Sequence, residues 1–112
     1  MLNDMENPSA NKKSPINEID RIMHAPARLL IMTQLAVIDS ADFTFIMNQT
    51  KLTRGNLSTH LGKLENAGYI SITKEFVDKI PRTLIRITNK GKNAVQGYIE
   101  NMRQVIDGFP NT

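Results

Sequence analysis

A chain of 112 residues, 40% hydrophobic and 22% charged, supports one ordinary globular domain with a modest core. It has no cysteine, which excludes disulfides, thiolate metal sites and thiol redox chemistry. No apolar run approaches the roughly 18 residues of a membrane span, and the polar start MLNDMENPSANKKSP lacks the apolar centre of a signal peptide, so a cytoplasmic location is expected.

Net charge is only +3, but it is unevenly spread. From Lys51 to Lys92 nine Lys/Arg face Glu65, Glu75 and Asp78, a local balance of +6, and the remainder carries −3. A basic half suits a surface that meets a polyanion; a solvated face without a partner would look the same.

Residues 1–13 are polar and poor in aliphatics, an expected disordered tail, and residues 14–108 are expected to form a single domain. Ser14-Pro15 reads as an N-cap followed by proline in the first turn, and Ile16, Ile19, Ile22 and Met23 recur at helical spacing, predicting a short helix over 15–24. A second helix is predicted over 26–38. Leu29, Leu30, Met32, Leu35, Ala36 and Ile38 leave it little polar face, so it is expected to be buried on most sides. Asp39 to Asp42 reads as a loop. Thr44 is the expected cap of a two-turn helix over 45–50 that buries Phe45 with Ile46 or Met47, and Lys51-Leu52 makes the turn after it.

Thr53 then caps a strongly patterned helix, 54–67. Leu57, Leu61 and Leu64 fall on one stripe, and Gly68 supplies a left-handed stop. Gly55, Asn56, Thr59, Gly62, Lys63 and Asn66 point away from that stripe, with Arg54, Ser58 and His60 on its flanks. The period then changes to two. Tyr69–Phe76 and Thr83–Thr88 read as β-branched strands joined by an exposed tip at 77–82, giving a hairpin over 69–88. A last helix, 89–107, capped by Thr88 and ended by Gly108 and Pro110, carries Ala94, Val95, Tyr98, Ile99, Met102, Val105 and Ile106 on one wide apolar stripe.

A short helix, a tight break and an amphipathic helix form the layout of a helix-turn-helix. Asn56, Ser58 and Thr59 are short hydrogen-bonding side chains near the start of the second helix, where base edges are met in the major groove. Gly55 and Gly62 each cost a helix about 1 kcal/mol relative to alanine, so two on one exposed face suggest close approach to something bulky. Thr53 and Arg54 bring amide donors and positive charge to a phosphate, and Lys63 suits the backbone rather than bases. His60 reads equally as a base contact and as a packed border residue. On the hairpin Lys74, Lys79 and Arg82 are placed to reach phosphates or the minor groove; the plainer reading is a charged edge that resists aggregation.

LTRGNLSTHLGKLENAGYI, the K-E-F…P-R-T hairpin and the I-T-N-K-G-K opening of the last helix resemble the winged-helix regulators of the MarR/ArsR-like group. Within it they are most similar to a small subfamily whose pattern reads L-T-x-G-N-L-S-x-H-L-x-x-L-E-x-x-G-Y. The similarity spans about Ile22 to Met102, and His24-Ala25-Pro26-Ala27-Arg28-Leu29 resembles that subfamily's helix entry. The resemblance implies a mainly α fold with a small β-hairpin (α+β), a winged helix-turn-helix with N- and C-terminal dimerisation helices. It also implies a homodimeric, sequence-specific regulator of transcription, with Thr53, Arg54, Asn56, Ser58, Thr59 and Lys63 meeting DNA through the helix and Lys79 and Arg82 through the wing, 74–83. The tip departs from the pattern: Val77-Asp78-Lys79-Ile80 stands where glycine and paired basic residues are common, and Asp78 would repel phosphate and oppose deep insertion. Metal-sensing relatives use cysteine or histidine clusters that a chain with only His24 and His60 cannot reproduce, so no metal or cofactor is expected.

Both terminal helices carry more apolar surface than a domain this small needs. Ile16, Ile19, Met23, Val95, Tyr98, Ile99, Met102, Val105 and Ile106 are therefore the expected dimer interface; the plainer alternative is that both helices fold back on one monomer. A two-fold dimer sets its reading helices roughly 34 Å apart and fits a pseudo-palindromic operator in double-stranded DNA, most simply as a repressor. Whether a small-molecule effector triggers release is left open by the sequence. The chain shows no catalytic constellation. The competing class is a winged-helix module that docks onto a larger transcription or assembly complex without binding DNA itself, which calls for an exposed apolar patch in place of the basic one.

Overall fold

The computed structural model describes residues 19–110. Its elements in chain order are α1 (Pro26–Ile38), β1 (Ser40–Asp42), α2 (Phe43–Thr50), α3 (Arg54–Asn66), β2 (Ile70–Val77), β3 (Ile80–Ile87) and α4 (Asn89–Asp107). The strands form one antiparallel sheet in the order β1-β3-β2.

The expected helix over 15–24 lies partly outside the described residues, Ile16 included, and its remainder is a single turn rather than a helix. Asp20 Oδ1 accepts the amides of Ile22 and Met23 at 2.8 and 3.0 Å, and the His24 amide donates to the Asp20 carbonyl. Ala25 is then extended (φ −144°, ψ 127°), as a residue before proline tends to be, and α1 starts fresh at Pro26.

The segment read as a loop contains β1. Asp39 closes α1 with φ 75°, and Ser40, Ala41 and Asp42 pair with Arg86, Ile85 and Leu84. Asp42, not Thr44, caps α2: its Oδ1 accepts the Phe45 amide at 2.7 Å. Starting the helix at Phe43 rotates its apolar face. Phe43, Ile46 and Met47 turn inward at i, i+3 and i+4, and Phe45 is left exposed.

Helix α3 follows its sequence signals closely. Thr53 Oγ1 accepts the Asn56 amide at 3.2 Å. Gly68 stands at φ 82°, with Gly68 N–H donating to Glu65 and Tyr69 N–H to Leu64, a Schellman stop. The hairpin is tighter than the sequence suggests, because pairing continues to Val77↔Ile80 and only Asp78 and Lys79 turn, at φ 52° and 69°. The alternation of an antiparallel ladder puts Pro81, opposite Phe76, at a non-hydrogen-bonded position, where its missing N–H costs nothing.

The core joins Met23, Ile31, Met32, Leu35 and Ile46 to Leu57, Leu61 and Leu64 of α3 and to Ile70, Ile85 and Ile87 of the sheet. Helix α1 is not buried on most sides: Ile31, Met32 and Leu35 face this core, whereas Leu30, Val37 (85%) and Ile38 are exposed. One layer beneath it cannot cover a helix that is apolar nearly all round. Thr88 Oγ1 accepts the Gly91 amide to start α4 and donates to the Gly68 carbonyl at 2.6 Å. A methyl at Gly91 would run into the Tyr69 carbonyl, so the helix crosses the end of α3 at the closest distance glycine permits.

Asp20 also accepts a hydrogen bond from the Tyr69 hydroxyl. Burial, then this bond and the Asp20 charge, push the Tyr69 pKa up to about 12. The folded value lies above the unfolded one, near 10. The stabilisation is therefore intact below pH about 10 and lost as pH rises through about 12. Denaturation midpoints measured across that window are expected to fall, and Tyr69→Phe to flatten the profile; an equally steep fall in the variant would remove Tyr69 as its source.

Candidate nucleic-acid interface

Helix α3 presents opposite characters on its two sides. Leu57, Leu61 and Leu64 are sealed in the core, Gly55, Asn56, Thr59 and Lys63 are exposed away from them, and Arg54 and Ser58 are exposed on the flanks. A Cβ added at Gly55 or Gly62 would meet nothing within 4 Å. Nothing inside the protein requires glycine there, and the missing side chains leave this face in low relief. Thr59 is exposed, and its Oγ1 donates to the Gly55 carbonyl at 3.1 Å, which commits the hydroxyl proton to the helix backbone. The Arg54 guanidinium stacks over the Phe43 ring, 5.1 Å from its centroid. This cation–π contact holds the first cation of α3 across the turn from α2.

His60 sits on the flank as a half-buried residue. Its Nδ1 is 3.1 Å from Arg28 Nη1, and burial followed by the charges of Arg28 and Lys63 lowers its pKa below 6.5, so the ring is neutral near pH 7. Of the two readings open in the sequence, this favours the border residue, with only Nε2 left for an outside partner.

Across from α3 the wing completes a cleft of about 980 Å³. Arg54, Ser58 and Glu65 line one wall, Lys74, Val77, Ile80 and Arg82 the other, with Asp42 and Asp78 also on its rim. Lys74 and Lys79 are exposed. Arg82 is committed elsewhere in part: its Nε lies 3.5 Å from Asp42 Oδ2, on the carboxylate whose other oxygen caps α2, and so ties the base of the wing to the helix-turn-helix. Phe76 (75% exposed) and Ile80 (66%) stand out at the tip. Alternation could have flagged only Ile80, which falls on the face opposite Ile85 and Ile87; Phe76 shares the face of Ile70 and Ile72 and is bare because the hairpin extends past the body of the domain.

The expected dimer residues divide. Met23, Val95 and Tyr98 are buried in the chain's own core, Tyr98 with an edge on the groove between α1 and α4. They sit where α4 and the N-terminal turn cross the body of the domain, so the monomer itself covers them. Ile19 packs partly against the same core. Ile99 (44%) and Ile106 (60%) are exposed, and Met102 and Val105 are half-buried. An apolar groove of about 700 Å³ runs between α1 and α4, lined by Pro26, Leu29, Leu30, Ile99, Met102 and Ile106 among others.

Three helices around a leucine core, a helix-turn-helix and a two-stranded wing define a winged helix-turn-helix. The chain belongs to the winged helix DNA-binding domain family, whose model matches residues 27–106. An uncharacterized protein of Methanocaldococcus jannaschii is 33% identical over 85 residues, 76% of this chain and 92% of that one. A transcriptional regulator homologue from Pyrococcus horikoshii OT3 superposes with a TM-score of 0.79 at 34% identity, over 84% of this chain and 95% of that one. A MarR-like transcriptional regulator from Thermotoga maritima shares the fold, with a TM-score of 0.54 at 17% identity over 88% of this chain and 69% of that one. The fold and this membership make the chain a winged-helix DNA-binding protein. No helix among the described residues is long and apolar enough to cross a membrane.

Proposed function

We propose that this protein is a homodimeric, sequence-specific repressor that occupies a pseudo-palindromic operator in double-stranded DNA. The observation that carries the proposal is the two-sided α3: a sealed leucine stripe behind an exposed face of Arg54, Asn56, Ser58, Thr59 and Lys63 with no neighbour from its own chain near Gly55 or Gly62. Asn56 and Thr59 supply base-edge contacts, and Thr53, Arg54, Ser58 and Lys63 hold the backbone. Lys74 and Lys79 add phosphate contacts from the wing, while Arg82 serves mainly to brace it. The uncovered groove between α1 and α4, with Ile99, Met102, Val105 and Ile106 on its α4 side, supports a two-fold dimer that sets the spacing of the half-sites. Repression then needs only occupancy of the promoter.

Selection of bound sequences from random duplexes at a fixed salt concentration is expected to yield a motif with dyad symmetry. If each subunit neutralises three or four phosphates, affinity should fall with salt at a log–log slope of about −6 for the dimer. A pool without a motif and a slope near zero would sink the proposal. They would favour instead a module that docks on a larger assembly, a reading that draws on the exposed Phe76 and Ile80 of the wing tip.

A further inference from the structure

One side chain connects the start of α1 to the reading helix. Arg28 Nε donates to the Ile22 carbonyl at 2.7 Å, and Nη1 of the same guanidinium lies 3.1 Å from His60 Nδ1 in the middle of α3. The turn that carries Ile22 is held from two further sides. Asp20 accepts from the Tyr69 hydroxyl just beyond α3, and His24 Nδ1 is 2.8 Å from the Tyr98 hydroxyl on α4. A guanidinium has donors only, so His60 Nδ1 must be the acceptor and the ring carries its proton on Nε2. The bridge exists only while His60 is neutral, since an imidazolium would set a donor against a donor beside a fixed positive charge.

Resting on the DNA-reading function proposed above, we infer that Arg28 is a positioning residue for sequence discrimination: by gripping the Ile22 carbonyl and His60 together, it fixes the angle at which α3 is presented. It acts through His60 rather than on DNA. The charged groups facing His60 are Arg28 from α1 and Lys63 from its own helix. Asp20, the carboxylate of the adjoining turn, is taken up by the Ile22 and Met23 amides and the Tyr69 hydroxyl. Both charges that reach the ring are positive and it is partly buried, which keeps it neutral near pH 7. Acid therefore breaks the bridge while adding a positive charge to a surface that faces phosphates. These two effects separate in a binding assay: general attraction to duplex rises, and discrimination between duplexes falls.

The test uses the full chain and two labelled duplexes of equal length, one taken from the selected pool and one with the same bases scrambled. The ratio of their affinities is measured at about pH 7.5 and again at the lowest pH at which melts show the chain still folded, well below the ordinary histidine range because the pKa of His60 is lowered. The wild-type ratio is expected to drop about tenfold in acid, the size of one lost charge-assisted hydrogen bond, as affinity for the scrambled duplex rises. Arg28→Lys keeps the charge but cannot bridge both acceptors, so its ratio should already be about tenfold lower at the higher pH. His60→Gln offers an amide oxygen to Arg28 and does not titrate, so its ratio should be the same at both pH values. An Arg28→Lys ratio equal to wild type overturns the inference, and so does a His60→Gln ratio that falls with acid as wild type does. Thermal melts accompany each variant; should Arg28→Lys fail to fold, the wild-type and His60→Gln profiles decide the matter. A wild type that cannot tell the duplexes apart at either pH is a different failure, that of the DNA-reading function itself.

Discussion

Glutamates placed together at Ile99 and Ile106 are expected to yield a folded monomer that has lost about 100-fold or more in affinity for a two-half-site operator, while binding a single half-site nearly as well as wild type. Both side chains are exposed on the chain itself, so replacing them removes little of the monomer's own packing and the melting temperature should change modestly. In a dimer the same positions would bring up to four carboxylates into an apolar groove rimmed by Leu29, Leu30 and Met102, where unpaired charge is costly. The affinity loss follows from linkage of two reading helices: the second half-site is bound at a high effective concentration only while the subunits are joined, a gain of about 10²–10⁴. Sedimentation gives the mass, and titration against duplexes carrying one or two half-sites gives the affinities. An unchanged mass would move the interface elsewhere on the molecule.

The sequence made α3 legible because everything that specifies it is local. Thr53, the leucine period and Gly68 lie within sixteen residues and each acts on its immediate neighbours. The wing was legible as a change of period, though not in the reach of its pairing, which depends on Asp78 and Lys79 both accepting a left-handed backbone. Strand β1 was not legible. Ser40-Ala41-Asp42 has little strand propensity, and its partners lie more than forty positions away in β3. The cap of α2 was misplaced by two residues because Asp42 and Thr44 are both good caps, and only the burial of Phe43 decides between them. Periodicity also shows which face of a helix is apolar without showing what covers it. Leu30 and Ile38 therefore read as core although they are exposed, and Met23, Val95 and Tyr98 read as interface although the monomer buries them. The bridge from Arg28 to His60 spans 32 positions and leaves no local mark at all.

Leu57→Ala and Asn56→Ala, adjacent changes of which one is in the core and the other on the surface, are expected to fail in opposite ways. Leu57 is fully buried in the core, so truncating it removes its apolar burial and leaves a cavity, a loss of about 2–5 kcal/mol. For a domain this small that is a large share of total stability. Denaturant unfolding should show it directly, and DNA binding should decline only as far as the folded fraction does, with the preferred sequence unaltered. Asn56 is exposed, and its side chain is not the cap of α3, a task Thr53 performs. Its removal should leave stability within about 0.5 kcal/mol of wild type and relax the preference at one base pair of each half-site by about 1–3 kcal/mol. Lys79→Ala, also exposed, should instead weaken binding to every duplex alike and reduce the steepness of the salt dependence. If Asn56→Ala shifts stability and spares the motif, while Lys79→Ala alters the motif, then the bases are read from the wing and α3 serves only to hold it in place.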